Sequence, residues 1–277
     1  MIHSIEDYAQ FNIHTNPGRF IEYFHRLPSS IDALCDLIQK QIVHPWDGSP
    51  QPIDRKYNPQ SNLRVEDLLE KLVKMNPLGL VATRTLNERV IGSCRENAIL
   101  FTAILNSQGV PSRPRAGWVK YLSSNTQKFT DHWVSEIWQA EEKRWILVDT
   151  NPKRIDFSQT EFVSGAEAWL QIRSGQKLPE TFRSDDDLFY VKLNFGHDFD
   201  TILGLAPPYW EAPPIFHIKM KEIKQWQLAL LDQIAALLIN PDQNIKTLQR
   251  LRTKHALLQG VESAWPIFQR TTYRGLG

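Results

Sequence analysis

Cys94, His132 and Asp149 are the residues of this 277-residue chain whose types and order are typical of nucleophilic catalysis. A thiolate is a strong nucleophile, an imidazole moves protons near neutral pH, and a carboxylate can orient the imidazole. Each residue also has a structural interpretation, as a small buried side chain, a polar strand residue and a turn former. We prefer the catalytic hypothesis because all three occur together, in this order, on the elements predicted below.

The sequence around Cys94 predicts that this residue lies in the first turn of a mostly buried helix. Gly92-Ser93-Cys94-Arg95-Glu96-Asn97 precedes the largely apolar run AILFTAILNSQG, and Gly109 followed by Val110-Pro111 ends the helix. Helix-start N–H groups and the positive end of the helix dipole stabilise a thiolate, and they lower the pKa of a thiol from about 8.5. The Cys94 N–H would be a first donor to a developing oxyanion.

Three β-strands are predicted after this helix, over residues 113–121, 132–138 and 144–149. The two-residue period places His132, Val134, Glu136 and Trp138 on one face of the second strand, with Trp133, Ser135 and Ile137 on the other. If the second and third strands pair as a hairpin across the EEKR connection, His132 and Asp149 become neighbours. A buried helix with antiparallel strands predicts an α+β fold.

Helices are expected on both sides of this core. Apolar periodicity predicts helices near residues 20–27, 31–42 and 65–75 before it, and near 220–239 and 244–259 after it. The Pro-, Gly-, Ser- and Asn-rich segment 45–62 is predicted to be a long surface loop that could act as a lid. We therefore divide the chain into an N-terminal helical segment and loop (1–80), a catalytic core (81–160) and a mainly helical extension (161–277).

Composition excludes several functional classes. The 32 Lys and Arg residues balance 31 Asp and Glu residues, so the net charge of +1 predicts no binding to nucleic acid or to an anionic membrane. There is neither a long apolar run nor a signal-peptide pattern, and the two cysteines, Cys35 and Cys94, fit a reducing compartment. We expect a cytoplasmic protein; a bridge between the two cysteines is the alternative, and oligomerisation is left open.

No cofactor and no metal is predicted. The histidines are scattered without a zinc-binding spacing, and no Gly-rich phosphate loop or dinucleotide motif occurs. Tryptophans in the predicted strands are interpreted as core residues and not as stacking platforms for bases or sugars.

The motifs GSCRENAILFTAILNSQGVPSRPRAGW, DHWVSEIW and RWILVDTNP resemble the transglutaminase-like superfamily over about residues 88–152, and the chain is similar to bacterial members with a helical extension. The resemblance implies a papain/transglutaminase-like core, in which a buried helix starting with the cysteine packs on an antiparallel sheet. It also implies that Cys94 is the nucleophile, His132 the base and later acid, and Asp149 the orienting residue. Acyl transfer, or amide or ester hydrolysis, would then proceed through a Cys94 thioester.

The implied substrate is a small-molecule or peptide amide. The alternative is a catalytically silent transglutaminase-like module that binds or scaffolds. Family members often supply a second oxyanion donor from upstream of the cysteine, for which Trp46, Asn58 and Gln60 are candidates. Arg95 and Glu96 match an Arg-acidic pair of similar bacterial sequences, and we interpret them as an ion pair at the helix start.

Overall fold

Along the chain, N-terminal helices are followed by a central helix with an antiparallel sheet and then by C-terminal helices. A computed structural model of the chain describes residues 2–44, 64–125, 127–182 and 187–260. The first half contains α1 (Ile31–Gln39), β1 (Ile42–Val43), α2 (Val65–Met75), β2 (Val90–Ile91), α3 (Cys94–Ser107), β3 (Ser112–Val119), β4 (Thr130–Gln139) and β5 (Arg144–Thr150). The second half contains β6 (Lys153–Ile155), β7 (Phe162–Ser164), α4 (Gly165–Arg173), α5 (Phe189–Ile202), α6 (Gln225–Leu238) and α7 (Pro241–Lys254).

The central sheet has the strand order β6-β5-β4-β3-β7, and every neighbouring pair is antiparallel. Strands β4 and β5 pair from Gln139↔Arg144 to Ser135↔Val148, as the hairpin hypothesis required. If that register continues by one residue, Asp149 lies opposite Val134. His132 and Asp149 are then diagonal neighbours on one face at the same end of the hairpin.

Helix α3 packs against the sheet. Its residues from Cys94 to Asn106 are buried, since the run from Ala98 to Leu105 is apolar on nearly every side of the helix. Trp133 and Ile137 of β4 meet it in one hydrophobic cluster, which α1 and α2 extend. The α+β class and the cysteine-led helix packed on an antiparallel sheet are confirmed.

Most of the predicted helices are present with altered ends. Helix α2 has the predicted bounds, α3 ends at Ser107, and the turn after it uses Gly109 with φ of +75°. The first predicted helix is a 3-10 helix over Gly18–Phe24. Helix α1 stops at Gln39, because the next apolar residues, Ile42 and Val43, form β1 and pair with β2.

The helices α4 to α7 form a second hydrophobic cluster that includes Trp118 of β3. Strand β7, which precedes α4, pairs with β3 at the edge of the central sheet. The division at residues 80 and 160 stays a prediction, and the predicted loop 45–62 lies outside the described residues. Among the described residues, no helix has both the length and the apolar composition needed to cross a bilayer.

A buried charge network ties the sheet to the later helices. The Glu136 carboxylate accepts from Arg113 Nε and from Arg115 Nη1, both at 2.6 Å. Arg115 also donates to Asp198 of α5 at 2.8 Å, and Arg113 donates to Asp242 of α7 at 2.6 Å. Burial alone would raise the pKa of Glu136, but the two guanidinium groups lower it from 4.5 to about 2.

We expect Glu136→Gln to lower the free energy of unfolding by about 3 kcal/mol at neutral pH, because two buried guanidinium groups lose a charged partner. The folded pKa of Glu136 is below its unfolded value, so its stabilisation is present above pH 4.5 and is lost as pH falls toward 2. The difference between wild type and variant should shrink across that window in urea unfolding. The exposed Glu141→Gln is the control, and a pH-independent difference for Glu136→Gln would contradict the network.

Candidate active site

Cys94 is the first residue of α3, and the residues beside it fix where the helix begins. Ser93 is the N-cap: its hydroxyl accepts from the Arg95 N–H at 3.3 Å and donates to Glu96 Oε2 at 2.6 Å. The Glu96 carboxylate also accepts a hydrogen bond from the Ser93 N–H at 2.6 Å, which completes a capping box. The Cys94 N–H, in the first turn, has no intrahelical acceptor and is directed out of the helix.

His132 and Asp149 are brought together by the β4–β5 hairpin. His132 Nε2 lies 2.8 Å from Asp149 Oδ2, and both side chains are buried. Asp149 Oδ1 accepts from the Asn151 N–H at 2.9 Å, and Oδ2 also accepts from the Tyr121 hydroxyl at 2.6 Å. The carboxylate is thus held by three donors, and it can fix the orientation of the imidazole.

Cys94 contributes, with Asp149, to the raised pKa of the His132 imidazole. Burial alone would lower the pKa of His132, but the charges of Asp149 and Cys94 and the hydrogen bonds to both raise it well above 6.5. Because Asp149 occupies Nε2, the nitrogen that remains for the thiol is Nδ1. The raised pKa favours the imidazolium form of His132 at neutral pH.

Tyr121 belongs to this site, although nothing in the sequence marked it. It was predicted to end the strand 113–121, whereas β3 ends at Val119 and the chain then turns Tyr121 toward Asp149. The rings of Tyr121 and His132 lie edge to face, with their centroids 6.3 Å apart. The guanidinium carbon of Arg154 lies over the Tyr121 ring, 4.4 Å from its centroid. Burial, together with the Asp149 charge, raises the pKa of Tyr121, so its hydroxyl stays a donor.

Tyr209 also reaches the site, from the segment that follows α5. Its hydroxyl lies 2.7 Å from Cys94 Sγ, and its ring packs against the rings of Trp133 and His197. Cys94 is 8% exposed, so little of this residue is open to solvent. A contact between residues 115 positions apart has no local sequence signal.

Arg95 anchors the segment that carries Tyr209. The predicted ion pair with Glu96 is present at 3.0 Å, but the guanidinium is 1% exposed and does more than pair. Its Nε donates to the Pro207 carbonyl at 2.8 Å, and its Nη2 donates to the Ala206 carbonyl at 2.6 Å. The residue after Cys94 therefore fixes the backbone two and three residues before Tyr209.

Both cysteines are free thiols, which excludes the bridge between them in this structure. Burial raises the pKa of Cys35 to about 12, so this thiol is an inert internal reference. The candidate oxyanion donors Trp46, Asn58 and Gln60 lie outside the described residues. Within the described part of the chain, no group of three or more His, Cys, Asp or Glu side chains is arranged to hold a metal ion.

Two cavities lie near the Tyr209 segment but not at the sulfur. One of about 280 Å³ is lined by Pro207, Glu211 and Arg252, and another of about 500 Å³ is lined by Tyr8 and Arg113. Cys94, His132 and Asp149 line neither. The candidate site is therefore defined by the geometry of these three side chains and not by a cavity.

Residues 57–150 match the model of the transglutaminase-like superfamily, and this segment contains Cys94, His132 and Asp149. The chain therefore contains a transglutaminase-like domain. The match ends with β5, before the helices α4 to α7 and before Tyr209. Neither a curated protein nor a solved structure matches the chain.

We expect Arg95→Lys to lower the free energy of unfolding by about 2–4 kcal/mol, because an ammonium cannot serve Glu96 and two backbone carbonyls as a planar guanidinium does. Urea unfolding measures the change. The exposed Arg250→Lys is the matched control and should change stability by less than about 0.5 kcal/mol. Equal effects of the two substitutions would contradict the anchoring role of Arg95.

Proposed function

We propose that this protein is a cysteine enzyme that transfers or hydrolyses acyl groups through a thioester on Cys94. The observation that carries the proposal is the 2.8 Å contact of His132 Nε2 with Asp149 Oδ2, beside the Cys94 thiol that helps to raise the pKa of the same imidazole. Nucleophile, proton carrier and orienting acid are the three roles that this chemistry needs. The transglutaminase-like match supports the same reaction class.

The reaction begins with attack of the Cys94 thiolate on a carbonyl carbon. The C–S bond forms as the carbonyl π bond opens, and the negative charge moves to oxygen. When the tetrahedral intermediate collapses, the C–N or C–O bond breaks. The His132 imidazolium gives its proton to the leaving nitrogen or oxygen, and Cys94 then carries a thioester.

The second half of the reaction releases the acyl group. An amine or water attacks the thioester carbonyl, and neutral His132 takes the proton of the attacking group. Breaking the C–S bond restores the thiolate beside the imidazolium. An amine acceptor gives transfer, whereas water gives hydrolysis or deamidation. Asp149 holds the imidazole in one orientation through both halves.

The limited exposure of Cys94 bears on the substrate. Cys94 is 8% exposed and Tyr209 contacts it directly, so a slender acyl group suits the approach better than a bulky one. A primary carboxamide side chain of a peptide and a small-molecule amide both meet this condition. The reducing, cytoplasmic setting predicted from the sequence would keep the thiol available.

An activated ester tests the proposal without knowledge of the natural substrate. With p-nitrophenyl acetate we expect a burst of p-nitrophenolate and an acetyl group on Cys94, removable by hydroxylamine and located by mass spectrometry. The rate should exceed that of free glutathione by at least about 10²-fold. Asp149→Asn and His132→Ala should slow acylation by about 10²-fold or more, and Cys94→Ser should abolish the adduct.

The exposed His25→Ala is the control for His132→Ala and should acylate at the wild-type rate. If Cys94 of the wild type reacts no faster than glutathione, and His132→Ala leaves that rate unchanged, the enzyme proposal fails. The alternative of a silent transglutaminase-like module that binds or scaffolds would then be preferred.

A further inference from the structure

We infer that the Tyr209 hydroxyl is a catalytic group, the second hydrogen-bond donor that, with the Cys94 N–H, stabilises the oxyanion formed during acyl transfer. This inference rests on the proposed function. It gives the segment after α5 a direct part in the chemistry, although that segment lies outside the transglutaminase-like match.

The position of the hydroxyl supports this role. Tyr209 Oη lies 2.7 Å from Cys94 Sγ, which is the atom that bonds to the substrate carbon. A carbonyl oxygen on that carbon is separated from the sulfur by two bonds, so when the carbonyl is oriented toward Tyr209 the oxygen comes within hydrogen-bonding range of the hydroxyl. The Cys94 N–H, free in the first turn of α3, can approach the same oxygen.

The protonation of Tyr209 suits a donor. Loss of solvent around the hydroxyl, reinforced by the charges of Cys94 and Asp131, raises the pKa of Tyr209 well above 10. The phenol therefore keeps its proton wherever the thiolate is present. Toward a thiolate the hydroxyl can only donate, and during attack this donor follows the negative charge from the sulfur to the carbonyl oxygen. It changes acceptor and loses no proton.

The backbone around Tyr209 is fixed at both ends. Arg95 holds the carbonyls of Ala206 and Pro207, and His14 Nδ1 accepts from the Ala206 N–H at 3.1 Å. Beyond Tyr209, His197 Nε2 lies 2.9 Å from the Glu211 carbonyl oxygen.

These two histidines are neutral at physiological pH. Burial lowers the pKa of His14 to about 3, with the Arg95 charge contributing, and burial also lowers the pKa of His197 to about 3. Anchors that do not titrate hold the donor in place before the substrate arrives. Such preorganisation is what gives an oxyanion donor its catalytic effect.

Two reactions of the Cys94 sulfur distinguish a Tyr209 hydroxyl that stabilises the oxyanion from one that only contacts the sulfur. Acylation by p-nitrophenyl acetate forms an oxyanion, whereas alkylation by iodoacetamide displaces iodide at a saturated carbon and forms none. We expect Tyr209→Phe to slow acylation of Cys94 by about 10²-fold and to change alkylation by less than about 10-fold. The exposed Tyr190→Phe is the matched control and should alter neither rate.

Tyr209→Phe keeps the ring that packs on Trp133 and His197, and an unchanged urea midpoint will show that the variant is folded. If Tyr209→Phe slows both reactions equally, Tyr209 acts only on the sulfur and not on the oxyanion. If both reactions become faster, Tyr209 only obstructs access to the sulfur. Either result overturns the inference. Wild-type acylation at the glutathione rate would instead overturn the proposed function, so the two failures are distinguishable.

Discussion

Glu96 accepts from the backbone N–H and the hydroxyl of Ser93 and pairs with Arg95, and this buried capping interaction fixes the first turn of α3. The same turn places the Cys94 thiol, directs its N–H outward and aims the Arg95 guanidinium at the segment that carries Tyr209. The contact of the sulfur with the Tyr209 hydroxyl requires Cys94 to stay at this position. A shift of this turn would separate Cys94 from both His132 and Tyr209.

The sheet contributes a second fixed frame. Its helix-facing side is apolar, with Trp133 and Ile137 packed on α3, whereas its other side carries the Arg113–Glu136–Arg115 network toward α5 and α7. This network joins β4 to elements outside the transglutaminase-like match. Strand β4, which carries His132 close to its first residue, is thus held from both faces. A rigid frame of this kind is what a site of paired titratable groups needs.

Local patterns in the sequence predicted the core well. Apolar periodicity located α2, and the short connection between two alternating strands led to the β4–β5 hairpin and so to the meeting of His132 with Asp149. Helix α5 was not delimited, because buried polar residues such as His197 and Asp198 hide its apolar periodicity. The segment Gly18–Phe24 forms a 3-10 helix although its apolar residues are spaced as in an α-helix, so the periodicity predicted a helix there but not its type.

Local sequence patterns could not identify Tyr209 and Arg95 as residues of the site. Tyr209 meets Cys94 across 115 positions, and Arg95 binds backbone carbonyls, which carry no residue-type signature. The pairing of Cys94 with His132 is the central claim, and iodoacetamide alkylation of the wild type and of His132→Ala tests it most directly. We expect His132→Ala to slow alkylation of Cys94 at pH 7 by about tenfold or more, because the sulfur loses the neighbouring imidazolium, and we expect Cys35 to stay unreacted in both proteins. An equal Cys94 rate in the two proteins would contradict the pairing.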